Sequence, residues 1–229
     1  MNNLRKEFTT LSITLIAVGI ALNLALGTIV LRLGLPLYLD SIGTVLVGAL
    51  VGPWAGAVTG FLSNLVWTLT GLYPQAFAWA GVAAIIGALA GVFARSGWLN
   101  SVGKAALAGL ITGIVSAVLS APIATYVFGG VVGAGTDALV AAFRAAGLDA
   151  LMSNVAQGTF SDPLDKLVTF VIVWSLLLAL PAREKARFGN LPVASTARAP
   201  QGATRRPVGK AAKKTATKKA ATKKSARRK

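Results

Sequence analysis

TTLSITLIAVGIALNLALGTIVLRL, Thr9 to Leu33, meets no charge before Arg32. A helix that crosses a bilayer needs about 20 mainly apolar residues, and this run supplies them without a break. It is too long for the apolar core of a signal peptide and lacks a clear small-residue cleavage pattern, so it reads as a retained first span. The whole chain agrees: mean hydropathy is +0.68 and 55% of its residues are hydrophobic, well above the composition of a water-soluble domain. Lipid is the expected solvent of the body.

Working outward, further apolar segments follow at Asp40–Val51, Trp54–Leu72, Gln75–Ala94, Val102–Phe128 and Leu164–Leu180. The breaks at Gly52-Pro53 and Tyr73-Pro74 have a physical basis, because proline removes a helix donor and Gly-Pro favours a turn. The expected fold is therefore an all-α integral membrane protein with six transmembrane helices, the second of them short. Residues 1–188 form the membrane domain, and residues 189–229 form a disordered basic tail.

Charge is sorted along this frame. Sixteen of the 23 Lys and Arg residues lie from Arg183 onward, and the first 182 residues carry seven basic residues against six acids. With the N-terminus cytoplasmic, the inner loops hold Arg5, Lys6, Arg95, Lys104, Arg183, Lys185 and Arg187, and the outer loops hold Arg32, Arg144 and Lys166. That bias satisfies the positive-inside rule and puts both termini in the cytoplasm of a multi-pass cell-membrane protein. The chain has no Cys and no His, which removes disulfides, Cys/His zinc sites and histidine acid–base catalysis. No nucleophile–base pair or metal-ligand spacing is evident, so no enzyme activity and no metal are expected.

Lipid gives apolar helices no special reason to associate, so small residues and polar contacts matter more. Ala17, Ala21 and Ala25 form a smooth ridge on the first span, suited either to packing within the body or to docking another membrane protein. Gly48/Gly52, Gly56/Gly60, Gly87/Gly91 and Gly109/Gly113/Ala117 repeat the theme. Asn23 and Asn64 are polar residues within spans, each either a helix–helix hydrogen bond or a ligand contact. Trp67, Tyr73 and Trp79 converge on the outer side, as interfacial belt residues or as pocket walls.

The long outer segment Gly129–Pro163 holds a short amphipathic helix, TDALVAAFRAA, capped by Thr136 and ended by Gly147. Asn154, Gln157, Asp162, Asp165 and Lys166 follow. Asp162-Pro163 fits the N-cap and first turn of the sixth span, and Asp40-Ser41 fits the N-cap of the second. Lys166 at such a helix start opposes the helix dipole, and pairs with Asp162 or Asp165 or meets an anionic ligand.

LPLYLDSIGTVLVGALVGPWAGAVTGFLSNLVWTL (Leu35 to Leu69), with the alanine ridge before it and DPLDKLVTF after it, resembles the S components of energy-coupling factor (ECF) transporters. The resemblance covers about residues 9–181. It implies a subunit that captures a vitamin-like micronutrient at the outer face, topples in the membrane and delivers it inward. Partners would be a transmembrane coupling subunit, docking on Ala17, Ala21 and Ala25, and two ABC ATPases that hydrolyse the ATP. Substrate contacts would fall on Asp40, Asn64, Trp67, Tyr73, Trp79, Asn154, Gln157 and Lys166. The chain itself needs no cofactor and offers no P-loop: GWLNSVGK (Gly97–Lys104) has the wrong spacing, and Ala105 stands where Ser or Thr belongs.

The tail ends KAAKKTATKKAATKKSARRK, too poor in large apolar residues to offset its ordering entropy. Its charge suits the anionic inner leaflet, or nucleic acid held by counterion release. A membrane-anchored tether for nucleic acid or anionic lipid is thus the alternative function, and a membrane sensor is a third.

Overall fold

The computed structural model describes residues 7–191. The described elements are helical: α1 (Thr10–Arg32), α2 (Ile42–Leu50), α3 (Pro53–Leu69), α4 (Ala80–Arg95), α5 (Val102–Phe128), α6 (Asp137–Ala145), α7 (Ala150–Ala179) and α8 (Ala182–Lys185). A 3₁₀ segment, Pro74–Trp79, leads into α4, and a second, Trp98–Asn100, precedes α5. No strand occurs among the described residues. Three stretches are long and apolar enough to cross a membrane: Thr10–Arg32, Pro74–Arg95 and Val102–Phe128.

The surface of the body is apolar, and polar side chains are buried beside its apolar core. Its surface presents Ile13, Val18, Ile29, Val118 and Leu178, all more than half exposed, while Asn23, Thr44, Thr59, Thr112, Asp165 and Lys166 are buried. That arrangement is stable when hydrocarbon surrounds the protein and polar groups must find partners inside.

Helices approach through glycine, as the spacing of small residues predicts. A Cβ at Gly87 on α4 would collide with the Gly56 main chain on α3, and one at Gly60 would meet the Ala83 carbonyl. Gly48 on α2 rests on the Gly87 carbonyl, and Gly19 on α1 faces Gly43 on α2. On the other side, Gly109 and Gly113 on α5 abut the main chain of α7 at Lys166-Leu167 and Asp162-Pro163. These pairings run in opposite register (109 with 166, 113 with 163), so α5 and α7 are antiparallel.

One end of the body is tied shut by long-range polar contacts. Glu7 caps α3, its Oε2 accepting from the Trp54 and Ala55 N–H groups at 2.9 and 3.1 Å. Gly52 approaches that carboxylate with φ 145°, where any Cβ would strike it. Arg95 bridges Glu7 (3.2 Å) and the Asn190 side-chain oxygen (2.9 Å). The Asn190 amide then donates to the carbonyls of Gly48, Ala49 and Gly91. Asn190 is 4% exposed, so the body extends past residue 188, where composition alone sets its end. The rest of the expected tail lies outside the described residues.

The sixth segment is the principal correction. Asp162-Pro163 does not begin a helix at all. α7 runs unbroken from Ala150, with Pro163 inside it and Asp149 as its cap, accepting from the Met152 N–H at 2.8 Å. Asn154 and Gln157 are therefore helical residues rather than loop residues, and Lys166 lies well inside a helix rather than at its start. The short helix at Asp137–Ala145 is present, but no Thr136 side-chain bond caps it. Asp137 instead accepts from the Val132 and Gly133 N–H groups.

Enlarging Gly87 to Ala should cost about 1–3 kcal/mol through overpacking, outweighing alanine's better helix propensity. Gly81→Ala, with open space around its Cβ position, should leave stability unchanged or slightly raised. Thermal unfolding of the two variants in detergent separates the effects.

Candidate functional site

Opposite the closed end lies a cavity of about 1110 Å³, part of it open to solvent. A water's share of liquid volume is about 30 Å³, so the hollow is far larger than a one-water void. Its wall includes all eight residues expected from the sequence to contact substrate: Asp40, Asn64, Trp67, Tyr73, Trp79, Asn154, Gln157 and Lys166. They come from α3, α7, the 3₁₀ turn and the segments before α2 and α4, and only the fold brings them together.

The floor of the cavity is an ion cluster on α7. Lys166, 2% exposed, pairs with Asp165 and lies 3.6 Å from Asp40. Asp165 also accepts from the Tyr38 and Leu39 N–H groups at 3.0 and 2.8 Å through its other oxygen. Leu39 there adopts φ 48°, a left-handed conformation that costs a non-glycine residue about 1–3 kcal/mol and persists only where neighbours impose it. Two carboxylates thus face one ammonium, and the Tyr38 ring lies 5.9 Å from its Nζ. Lys166 is not at a helix start, so the helix dipole does not oppose it. Asp40 does not cap α2 either. Ser41 occupies that position without a side-chain bond, and the Asp40 charge is directed to Lys166.

The aromatic residues are structural walls. Trp67 is 5% exposed, so it is no interfacial belt residue. Its ring lies over Gly27 of α1, where a Cβ would not fit, and its Nε1 donates to Thr28 at 3.1 Å. Tyr73 packs edge-on to Trp67 and donates its hydroxyl to the Val132 carbonyl at 2.7 Å. Trp79 stacks on Phe128 with 5.0 Å between ring centroids. Burial pushes the phenols of Tyr38 and Tyr73 above the ordinary tyrosine range, and nearby carboxylates add to the effect. Both hydroxyls therefore stay protonated.

Amide orientation completes the site. Asn64 donates to the Gly60 carbonyl (3.2 Å), Asn154 to the Ala150 carbonyl (2.9 Å) and Gln157 to the Tyr38 hydroxyl (3.3 Å). Asn23, by contrast, is wholly committed to structure. It donates to Thr44 and Ser63 and accepts from the Gly43 and Thr44 N–H groups, tying α1 to α2 and α3.

Sequence reading did not place Tyr38, Asp162, Ser116 or Ser120 on the cavity wall, where they stand. Asp162 carried a signal, since an acid flanking an apolar run is costly, but capping explained it equally well. The alanines 17, 21 and 25 lie on the exposed face of α1, away from the cavity. A shallow apolar groove beside Ala25, lined by Leu24, Ile29 and Leu33, continues that face.

Family models, curated proteins and solved structures contain no match to this chain.

Lys166→Met should destabilise the body by about 3–5 kcal/mol, because Asp165 and Asp40 are left without their counter-charge. Lys166→Met combined with Asp165→Asn should cost less than the two single changes summed, since the residues act as one unit. A double-mutant cycle on thermal unfolding in detergent measures the coupling.

Proposed function

We propose that the chain is the substrate-capture subunit of an ECF-type importer, holding a small micronutrient in the cavity between α1, α3, α4, α5 and α7. In this reading α1, α2, α3, the 3₁₀ turn with α4, α5 and α7 are six spans. Both termini are cytoplasmic, and the cavity opens to the outside of the cell membrane. The observation that carries the proposal is the cavity itself: one ligand-sized, mixed aromatic and polar hollow at the end of the body remote from Glu7, Arg95 and Asn190. Such pockets, largely apolar with a few convergent polar groups, are what small-molecule sites look like.

Two further features support it. The polybasic character of residues 183–229 favours a cytoplasmic C-terminus by the positive-inside rule, which puts the cavity on the outside. The exposed alanines of α1 give a flat surface on which a second membrane helix can approach closely. ATP hydrolysis falls to separate ATPase subunits, and a coupling subunit docks on the alanine face. Charge density alone supports the tether alternative, whose tail lies outside the described residues.

Native mass spectrometry of the detergent-purified protein should detect a co-purified compound of a few hundred daltons, lost in Trp67→Ala. Ala21→Trp should abolish co-purification with a coupling subunit while leaving unfolding temperature and bound compound unchanged. A protein that never carries a small molecule, or an Ala21→Trp variant that still assembles, overturns the reading.

A further inference from the structure

Resting on the capture reading of the same cavity, we infer that its ligand is an organic cation: a flat ring compound that carries positive charge and N–H donors. Three independent features of the wall point the same way.

The first is charge. Asp40 and Asp165 already enclose Lys166, the one lysine on the wall. An anionic ligand would meet a lysine already paired with two carboxylates and would face like charge from both. Asp162 is a further acid on the same wall. It is 4% exposed and forms no ion pair among the described residues. The hydroxyl of Ser116 beside it is a neutral partner. The cluster of Asp40, Asp162, Asp165 and Lys166 therefore sets three carboxyl groups against one ammonium, and Asp162 is the carboxyl left to pair with a positive charge on a ligand.

The second is hydrogen-bonding sense. The amide nitrogens of Asn64, Asn154 and Gln157 each give one of their two N–H groups to a protein acceptor. None of the three amide oxygens accepts a hydrogen bond from a described residue, although all three side chains line the cavity. With Asp162 they offer acceptor oxygens on the cavity wall, which N–H donors of a ligand can satisfy.

The third is shape and polarisability. Trp67, Tyr73, Trp79 and Tyr38 bound the same space. Aromatic faces attract cations and flat rings.

The test uses the full-length wild-type protein in detergent and a defined equimolar mixture of flat-ring probes. Thiamine, tryptamine and benzamidine are cationic, riboflavin and pyridoxine uncharged, and biotin, folate and nicotinate anionic. Native mass spectrometry reads which are retained after exchange into ligand-free buffer. Selective retention of a cationic probe, with at least tenfold weaker retention in Asp162→Asn, is the expected result. Selective retention of an uncharged or anionic probe would overturn the charge assignment and leave the capture reading standing. Retention of none, together with no co-purified compound, would sink the capture reading and this inference with it. Should Asp162→Asn fail to fold, Asn154→Leu removes one acceptor without touching the ion cluster. It should weaken cation retention while leaving any uncharged probe unaffected, and equal loss of both would count against the acceptor argument.

Discussion

An ammonium buried in the middle of an apolar body sets the terms for the rest of this structure. Lys166 is 2% exposed and so needs carboxylates to offset its lost hydration, and Asp165 and Asp40 supply them. Asp165 then does more than neutralise charge. Its second oxygen takes the Tyr38 and Leu39 N–H groups, which draws the segment before α2 onto α7 and holds Leu39 in its left-handed conformation. The beginning of α2, the orientation of Tyr38 and the floor of the cavity all follow from that one residue. α5 reaches the same level of α7 only because Gly109 and Gly113 present no side chain there.

The two ends of the body solve the polar-group problem differently. At the closed end, Glu7, Arg95 and Asn190 bond to main-chain groups of α2, α3 and α4 until little is left unpaired. At the other end, side chains use one polar atom for the fold and leave the other facing the hollow, as Asn64, Asn154 and Gln157 do. A body stabilised at one end and incompletely satisfied at the other has its spare hydrogen-bonding capacity at the cavity. Unsatisfied buried groups are unfavourable, and they are most readily tolerated where a bound molecule completes them.

Much of this was legible in the sequence because it depends on short-range pattern. Apolar run length marks the helices, Gly52-Pro53 marks the break before α3, and glycines four apart mark the close contacts. The gathering of Trp67, Tyr73 and Trp79 with Asn64 could be read from helix ends alone. What could not be read depends on contacts between distant residues. Asp162-Pro163 matches a helix start so well that the continuation of α7 through it is invisible locally. Proline inside a helix loses a hydrogen bond, and here Gly113 of α5 packs against that point. Asp40 likewise has the form of a cap, and its true partner is 126 residues away. Asn190 sits in a stretch with the composition of a tail, and only the carbonyls it meets show that it belongs to the body.

The two faces of α1 do different things. The inward stripe carries Asn23, which ties it to α2 and α3, and Gly27, on which the Trp67 ring rests. The outward stripe carries Ala17, Ala21 and Ala25, exposed and smooth. Gly27 is two residues from Ala25, so the cavity wall and the outer surface are separated by the thickness of one helix. Gly27 has no side chain to cushion the contact, and any displacement of α1 therefore bears directly on Trp67. A partner docked on the alanine face would act on the cavity through a rigid element rather than through a loop.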